Sequence, residues 1–208
     1  ATLPGDLEVI SSPLQALGVN YYHGEFVGGS PDPRPPLPGD APTDRPANSP
    51  FPSHDGIYWH ERGLPRTNMH WEIDPAGLTT LLERVWTEYA QPAGTVLYVT
   101  ENGASFDDLV EGSGAEARVH DGARVEFLRD HLSAILDAQD AGVDVRGYFY
   151  WSLMDNFEWA WGYEKRFGII HVDYDTQVRT LKDSALEYRR VIAARAIDSS
   201  AASVVIQS

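Results

Sequence analysis

The chain has 208 residues, 18 Gly, 14 Pro and no Cys, and its 16 Lys and Arg against 31 Asp and Glu leave a formal charge of −15. That length allows a sizeable core, and without Cys there is neither a disulfide scaffold nor a thiolate-ligated zinc or iron–sulfur site. The acidic balance repels nucleic acid and anionic membranes, and no apolar run reaches the roughly 18 residues of a transmembrane helix.

The first ten residues, ATLPGDLEVI, lack the basic and apolar regions of a secretory leader, which sets the expectation of a cytoplasmic protein. A first buried strand is predicted over Leu14–Tyr22 (LQALGVNYY). Nine of the fourteen prolines then fall between Pro31 and Pro52, so residues 31–53 read as a rigid surface loop. Asp74-Pro75 predicts an N-cap followed by Pro at the first helical position. The stripe Leu78, Leu81, Leu82, Val85, Trp86, Tyr89 continues it at helical spacing. A second strand covers Thr95–Thr100 (TVLYVT). A second helix carries Val125, Leu128, Leu132, Ile135 and Leu136 and stops near Gly142. A third strand covers Val145–Leu153 (VRGYFYWSL). A third helix opens with Ser184 and Glu187 as a capping-box pair and runs through Tyr188 and Ile192. The strands are apolar at nearly every position, which predicts cover on both faces. The repeated order of strand, loop and helix predicts an α/β fold with parallel strands.

Polar residues gather where the strands end: Asn20-Tyr21-Tyr22, Thr100-Glu101-Asn102-Gly103 and Trp151-Ser152. In α/β barrels that face carries the chemistry. Glu101, closing an apolar strand, is the most pointed candidate. Residues 147–175 interleave Trp151, Trp159, Trp161 and other aromatics with Asp155, Asn156, Glu158, Lys165 and Arg166. Flat rings stack on the C–H faces of sugars, while carboxylates and amides bond hydroxyls, and a plain core has little use for Asp155, Asn156 and Glu158. Trp71, in MHWEIDP, is a further platform or a packing residue at the start of the first helix.

YVTENGAS resembles the nucleophile motif of family-1 glycoside hydrolases, the retaining β-glucosidases. YWSLMDNFEWAWGYEKRFGIIHVDYD resembles the last barrel strand and following loop of that family. DLEVISSPLQALGVNYY and TNMHWEIDPAGL match two further segments in order, so the likeness runs from about Asp6 to Ile192. The resemblance implies Glu101 as nucleophile, with Tyr22 bonding and orienting it. It implies Asn20, Glu158 and Trp159 around the sugar, Trp151 beneath it, Phe167 as a wall, and Trp71 and Trp161 toward the leaving group. The pair Glu158-Trp159 differs from the cationic site of the phospho-glycosidase branch. No metal or organic cofactor is implied, since retaining chemistry uses two carboxyl groups.

The family places its acid/base Glu in an Asn-Glu-Pro motif, and no Asn-Glu-Pro occurs in this sequence. With Ala at position 1, the chain reads as a single partial domain over residues 1–208, about strands six to eight of a (β/α)8 TIM barrel, incomplete on its own. The expected substrates are small β-glucosides or cello-oligosaccharides, hydrolysed with the missing N-terminal half of the barrel as partner. The competing reading is a truncated remnant that holds sugars without turnover.

Overall fold

The structure is a computed structural model, and it describes residues 2–29, 58–199 and 202–205. The proline-rich segment expected as a surface loop lies outside the described residues. After a short helix Asp6–Ile10, three strand–helix units follow in chain order. These are β1 (Ala16–Asn20), α1 (Pro75–Val85), β2 (Val96–Asn102), α2 (Gly122–Asp140), β3 (Val145–Tyr150) and α3 (Asp183–Ala194). The strands form one parallel sheet in the order β1–β2–β3, with Leu17 opposite Leu97 and Leu97 opposite Val145. Short antiparallel pairs decorate the connections, among them Phe26–Gly28 with Tyr58–His60 and Ile170–Val172 with Arg179–Leu181.

The strand boundaries shift by a few residues from expectation. β2 runs two residues further, through Glu101 and Asn102. β3 stops at Tyr150 because the chain turns away once the Trp151 amide has reached the Asn102 carbonyl at 2.9 Å; the next amide, of Ser152, bonds the Phe167 carbonyl instead.

Among the described residues the sheet is covered on one face, not on both. Leu97 and Val99 are fully buried against Leu78, Leu82, Leu128, Leu132 and Ile135, whereas Thr100 and Gly18 are exposed and Phe149 is 58% exposed. Among the described residues the helices lie on one face only. Three βα units cannot curl into a closed cylinder whose geometry is set by eight strands, so the other face is open.

The first helix begins as the sequence implies: the Asp74 carboxylate accepts the Gly77 amide at 3.1 Å, and Pro75 stands at the first helical position. Its apolar stripe fails at Tyr89, which is 62% exposed. Residues Trp86–Ala90 form a π-helical turn, whose wider winding brings Ala90 to the core in place of Tyr89. α2 buries Leu128, Leu132 and Ile135 as expected and ends before Gly142, which takes a left-handed φ of 94°. It also buries Arg124 and His131, which no apolar pattern marks.

The capping box of α3 does not form. The helix starts at Asp183, so Ser184 sits inside its first turn, and the Ser184 hydroxyl donates to Asp121 at 2.6 Å. Glu187, 9% exposed, is held instead by Arg129 and Arg190, at 2.8 and 2.7 Å. Ile192 is 61% exposed and Val191 takes the core position.

Candidate active site

The parallel register sets Asn20 directly opposite Glu101 at the C-terminal edge of the sheet. Beyond β1 the Tyr21 amide still bonds the Glu101 carbonyl at 2.9 Å, which directs the Tyr22 ring over the same edge. The Tyr22 hydroxyl donates to the Glu101 carboxylate at 2.7 Å. Burial, first, and then the hydrogen bond and charge of Glu101, with Glu158 adding, push the Tyr22 hydroxyl well above its ordinary range. It stays a neutral donor to Glu101 across any working pH.

The residues flanking Glu101 make a stiff frame. Asn102 is fully buried; its amide donates to the Tyr21 carbonyl at 2.8 Å and accepts from the Tyr148 hydroxyl at 2.9 Å. At Gly103 a Cβ would lie 1.7 Å from the Trp151 carbonyl oxygen, so only glycine lets the ends of β2 and β3 meet. The Ala104 amide then donates to the Tyr150 hydroxyl at 3.3 Å.

Aromatic rings wall one side of the carboxylate. Trp71 lies edge-on to Tyr22 at 5.6 Å, 6.0 Å from Phe167, and stacked on His23 at 4.9 Å. Tyr22 and Phe167 meet at 6.2 Å and 90°, and Phe167 is buried. Trp151 is half-buried at the end of β3, tied through its amide to Asn102. Glu158 is half-buried, and burial together with the Glu101 charge raises its carboxyl above the ordinary value, which places the two acids within electrostatic reach.

The structure therefore brings together Glu101, Tyr22, Asn20, Trp71, Phe167, Trp151 and Glu158. Asn20 is exposed, with its side-chain oxygen accepting from the Thr100 hydroxyl at 2.6 Å. Trp159 is not drawn in: it is 81% exposed, sits at a left-handed φ of 42° and joins no ring contact among the described residues. Trp161 is half-buried, with the Lys165 ammonium 5.0 Å from its ring centre.

Two sequence expectations are corrected. Asp155 does not face a ligand; it is 4% exposed and bonds Arg166 at 2.6 Å and Lys182 at 2.9 Å. Asn156 spends its amide on Ser152 and Met154, at 2.9 and 3.0 Å. A core does use such groups when opposite charges and backbone amides meet them. His23, Asp108, Asp121, Arg124 and Lys182 went unmarked in the sequence, because none stands in a local pattern that separates it from a solvated residue.

Comparison with known proteins follows from this geometry. The family model described as Glycosyl hydrolase family 1 matches residues 3–197. The chain is 45% identical over 190 residues to the bifunctional beta-D-glucosidase/beta-D-fucosidase of Bifidobacterium breve, covering 91% of this chain and 39% of that protein. It is 42% identical over 187 residues to beta-glucosidase A of Thermotoga maritima, covering 90% of this chain and 36% of that one. The solved psychrophilic beta-glucosidase BglU of Micrococcus antarcticus superposes with a TM-score of 0.83 at 51% identity, covering 93% of this chain and 40% of that chain. The chain thus spans well under half the length of the relatives it matches.

Proposed function

The chain belongs to glycosyl hydrolase family 1, and from that premise we propose that it carries the nucleophile half of a retaining β-glucosidase site. The observation that carries this reading is the Tyr22–Glu101 hydrogen bond of 2.7 Å at the C-terminal edge of a parallel sheet. A carboxylate held there by a neutral phenol is aimed and unencumbered on its remaining lone pairs.

In the first step a Glu101 oxygen attacks the anomeric carbon, the bond from that carbon to the aglycone oxygen breaks, and a glycosyl-enzyme ester forms. The leaving oxygen takes a proton from a second carboxylic acid. In the second step that group, now a carboxylate, removes a proton from water, the water oxygen bonds the anomeric carbon, and Glu101 leaves as carboxylate. The second acid is the one the family holds in Asn-Glu-Pro, a motif absent from this sequence. The open sheet face and the unpaired edges of β1 and β3 among the described residues suit a complementary barrel portion as partner. Trp151 suits the C–H face of a glucosyl ring, Glu158 and Asn20 its hydroxyls, and Trp71 the leaving-group side, with buried Phe167 backing the wall. Glu158 beside Glu101 makes the site doubly anionic when both are ionised, which favours a neutral sugar over a phosphorylated one.

An activated aryl 2-deoxy-2-fluoro-β-glucoside tests the assignment, because dinitrophenolate leaves without a proton and the fluorine slows release of the ester. The chain, alone and mixed with the complementary barrel portion of a relative, should gain one label on Glu101, read by intact mass and peptide mapping. Glu101→Gln should gain none, and a label on any other residue overturns the assignment. Acid catalysis contributes on the order of 10²–10⁴-fold. Turnover of an unactivated glucoside should therefore appear only in the mixture. Sugar binding in both preparations with turnover in neither supports the competing remnant reading instead.

A further inference from the structure

Beneath the rim lies a group of six charged side chains that the proposed chemistry does not use. Arg124, Asp108, Asp155 and Lys182 have side chains 0% exposed, Asp121 2% and Arg166 22%. Three acids face three bases, so the group is neutral within itself.

Its connections run to backbone as much as to charge. From the first turn of α2, Arg124 donates to the Ala104 carbonyl at 3.3 Å and to the Arg166 carbonyl at 2.9 Å. The same guanidinium bonds Asp108 at 2.9 Å and Asp121 at 2.5 Å. Lys182 bridges Asp108 and Asp155. Asp155 also accepts the Gly168 amide at 3.0 Å and the Val172 amide at 3.3 Å. Asp121 accepts the amide and hydroxyl of Ser184 at the start of α3. Gly168 fits against this frame with no room to spare, since a Cβ there would lie 2.1 Å from the Asp155 amide nitrogen.

Ala104 stands three residues after Glu101, and Arg166 immediately precedes Phe167. We infer that Arg124 and Lys182 are positioning residues, which clamp the end of β2 carrying Glu101 to the loop carrying Phe167 and Glu158. Buried ionic groups add little stability over apolar replacements of the same shape, so their worth is geometric. Arg124 satisfies four acceptors at once with a rigid fork, which an ammonium on a flexible stem cannot do. All six groups belong to this chain, so the half-site is set before any complementary portion is met. The consequence for turnover rests on Glu101 being the nucleophile; the clamp itself does not.

Amide hydrogen exchange on the 208-residue chain separates the two. Arg124→Lys keeps the charge and loses the fork. It should accelerate exchange about tenfold or more in peptides spanning residues 100–106 and 165–169, with residues 78–85 unchanged, as expected of a local opening. Asp155→Asn, which keeps its shape, should act on residues 165–172 in the same way and serves if the first variant does not fold. Unchanged exchange at the rim, or a uniform rise across the chain, overturns the inference. In the mixture with the complementary portion, Arg124→Lys should lower kcat for an aryl glucoside about tenfold with KM within about threefold, since misplacement of reacting groups acts on the chemical step. A KM change alone overturns positioning. If Glu101→Gln keeps its activity while the rim peptides still open, the nucleophile assignment falls and the clamp stands.

Discussion

His131 offers a test of the core that can be worked out in advance. It lies in α2, 0% exposed, with its ring stacked on Phe127 at 3.8 Å and Nδ1 donating to the Phe127 carbonyl at 2.8 Å. Its Nε2 is buried without a partner. Burial pushes the imidazole down from 6.5 to about 4, against smaller opposing effects of the Phe127 carbonyl and the Asp74 charge. Between those values the unfolded chain binds a proton that the folded chain refuses. Stability is therefore full above pH 6.5 and falls as the pH drops toward 4. At 1.36 kcal/mol per unit, about 2.5 units amount to about 3 kcal/mol. His131→Leu removes the titration and the unpaired nitrogen at similar volume. Urea unfolding followed by tryptophan fluorescence, parent against variant, isolates the effect because other groups cancel in the difference. The variant should gain on the parent by about 2–3 kcal/mol between pH 7 and pH 4.5. A difference that stays flat across that window would refute the account of a neutral histidine held by burial.

Two further predictions use the same measurement. Hydrogen bonding from Arg190, then Arg129, holds the Glu187 carboxyl down at about 2, so its contribution is complete above 4.5 and is lost as pH falls through 2. Both arginines are a third or more exposed, so solvent screens the pair to about 1 kcal/mol; Glu187→Gln should remove that much of the stability change between pH 5 and 2, and an unaltered acid limb would count against it. Gly103→Ala should destabilise the fold by at least about 1–3 kcal/mol, because the added Cβ meets the Trp151 carbonyl oxygen at 1.7 Å, whereas a Cβ at Gly122 meets nothing within 4 Å. Gly122→Ala, at the start of α2, should be neutral or stabilising by about 0.5–1 kcal/mol, and equal urea midpoints for the two variants would contradict the close approach of the strand ends.

What the sequence revealed and what it hid divide along a physical line. Asp74-Pro75 was readable because an N-cap is made by groups three residues apart. The strand ends were readable because apolar runs stop where polar chemistry begins. Tyr22 and Glu101, 79 residues apart, were joined only through likeness to a family, since no local pattern encodes their contact. Asp155 was misread because a carboxylate among aromatics looks the same whether a sugar or a lysine answers it. Its partner Lys182 stands 27 residues away. The capping box of α3 failed for the same reason: Asp121, 63 residues upstream, competes for the Ser184 hydroxyl. Tyr89 was placed in the core by a 3.6-residue period that the π-helical turn abandons.

The ordered rim and the open sheet face have one cause. Among the described residues the contacts that shape this side of the rim join neighbouring strand–helix units: Tyr22 with Glu101, Asn102 with Tyr148, Arg124 with Arg166. The open sheet face depends on closure instead. Among the described residues Phe149 and the edges of β1 and β3 stay uncovered, and an open groove of about 850 Å³ beside β3 is lined by Leu136, Val145, Tyr188 and Ile192. The buried charges of the rim already balance, three against three. On the proposed reading, a complementary barrel portion then need not neutralise that buried cluster. It needs to bring apolar surface for the sheet and one carboxylic acid for the leaving oxygen. A complement that joins mainly by apolar contact should assemble about as well at high salt as at low, whereas association driven by charge weakens as salt shortens the reach of each ion.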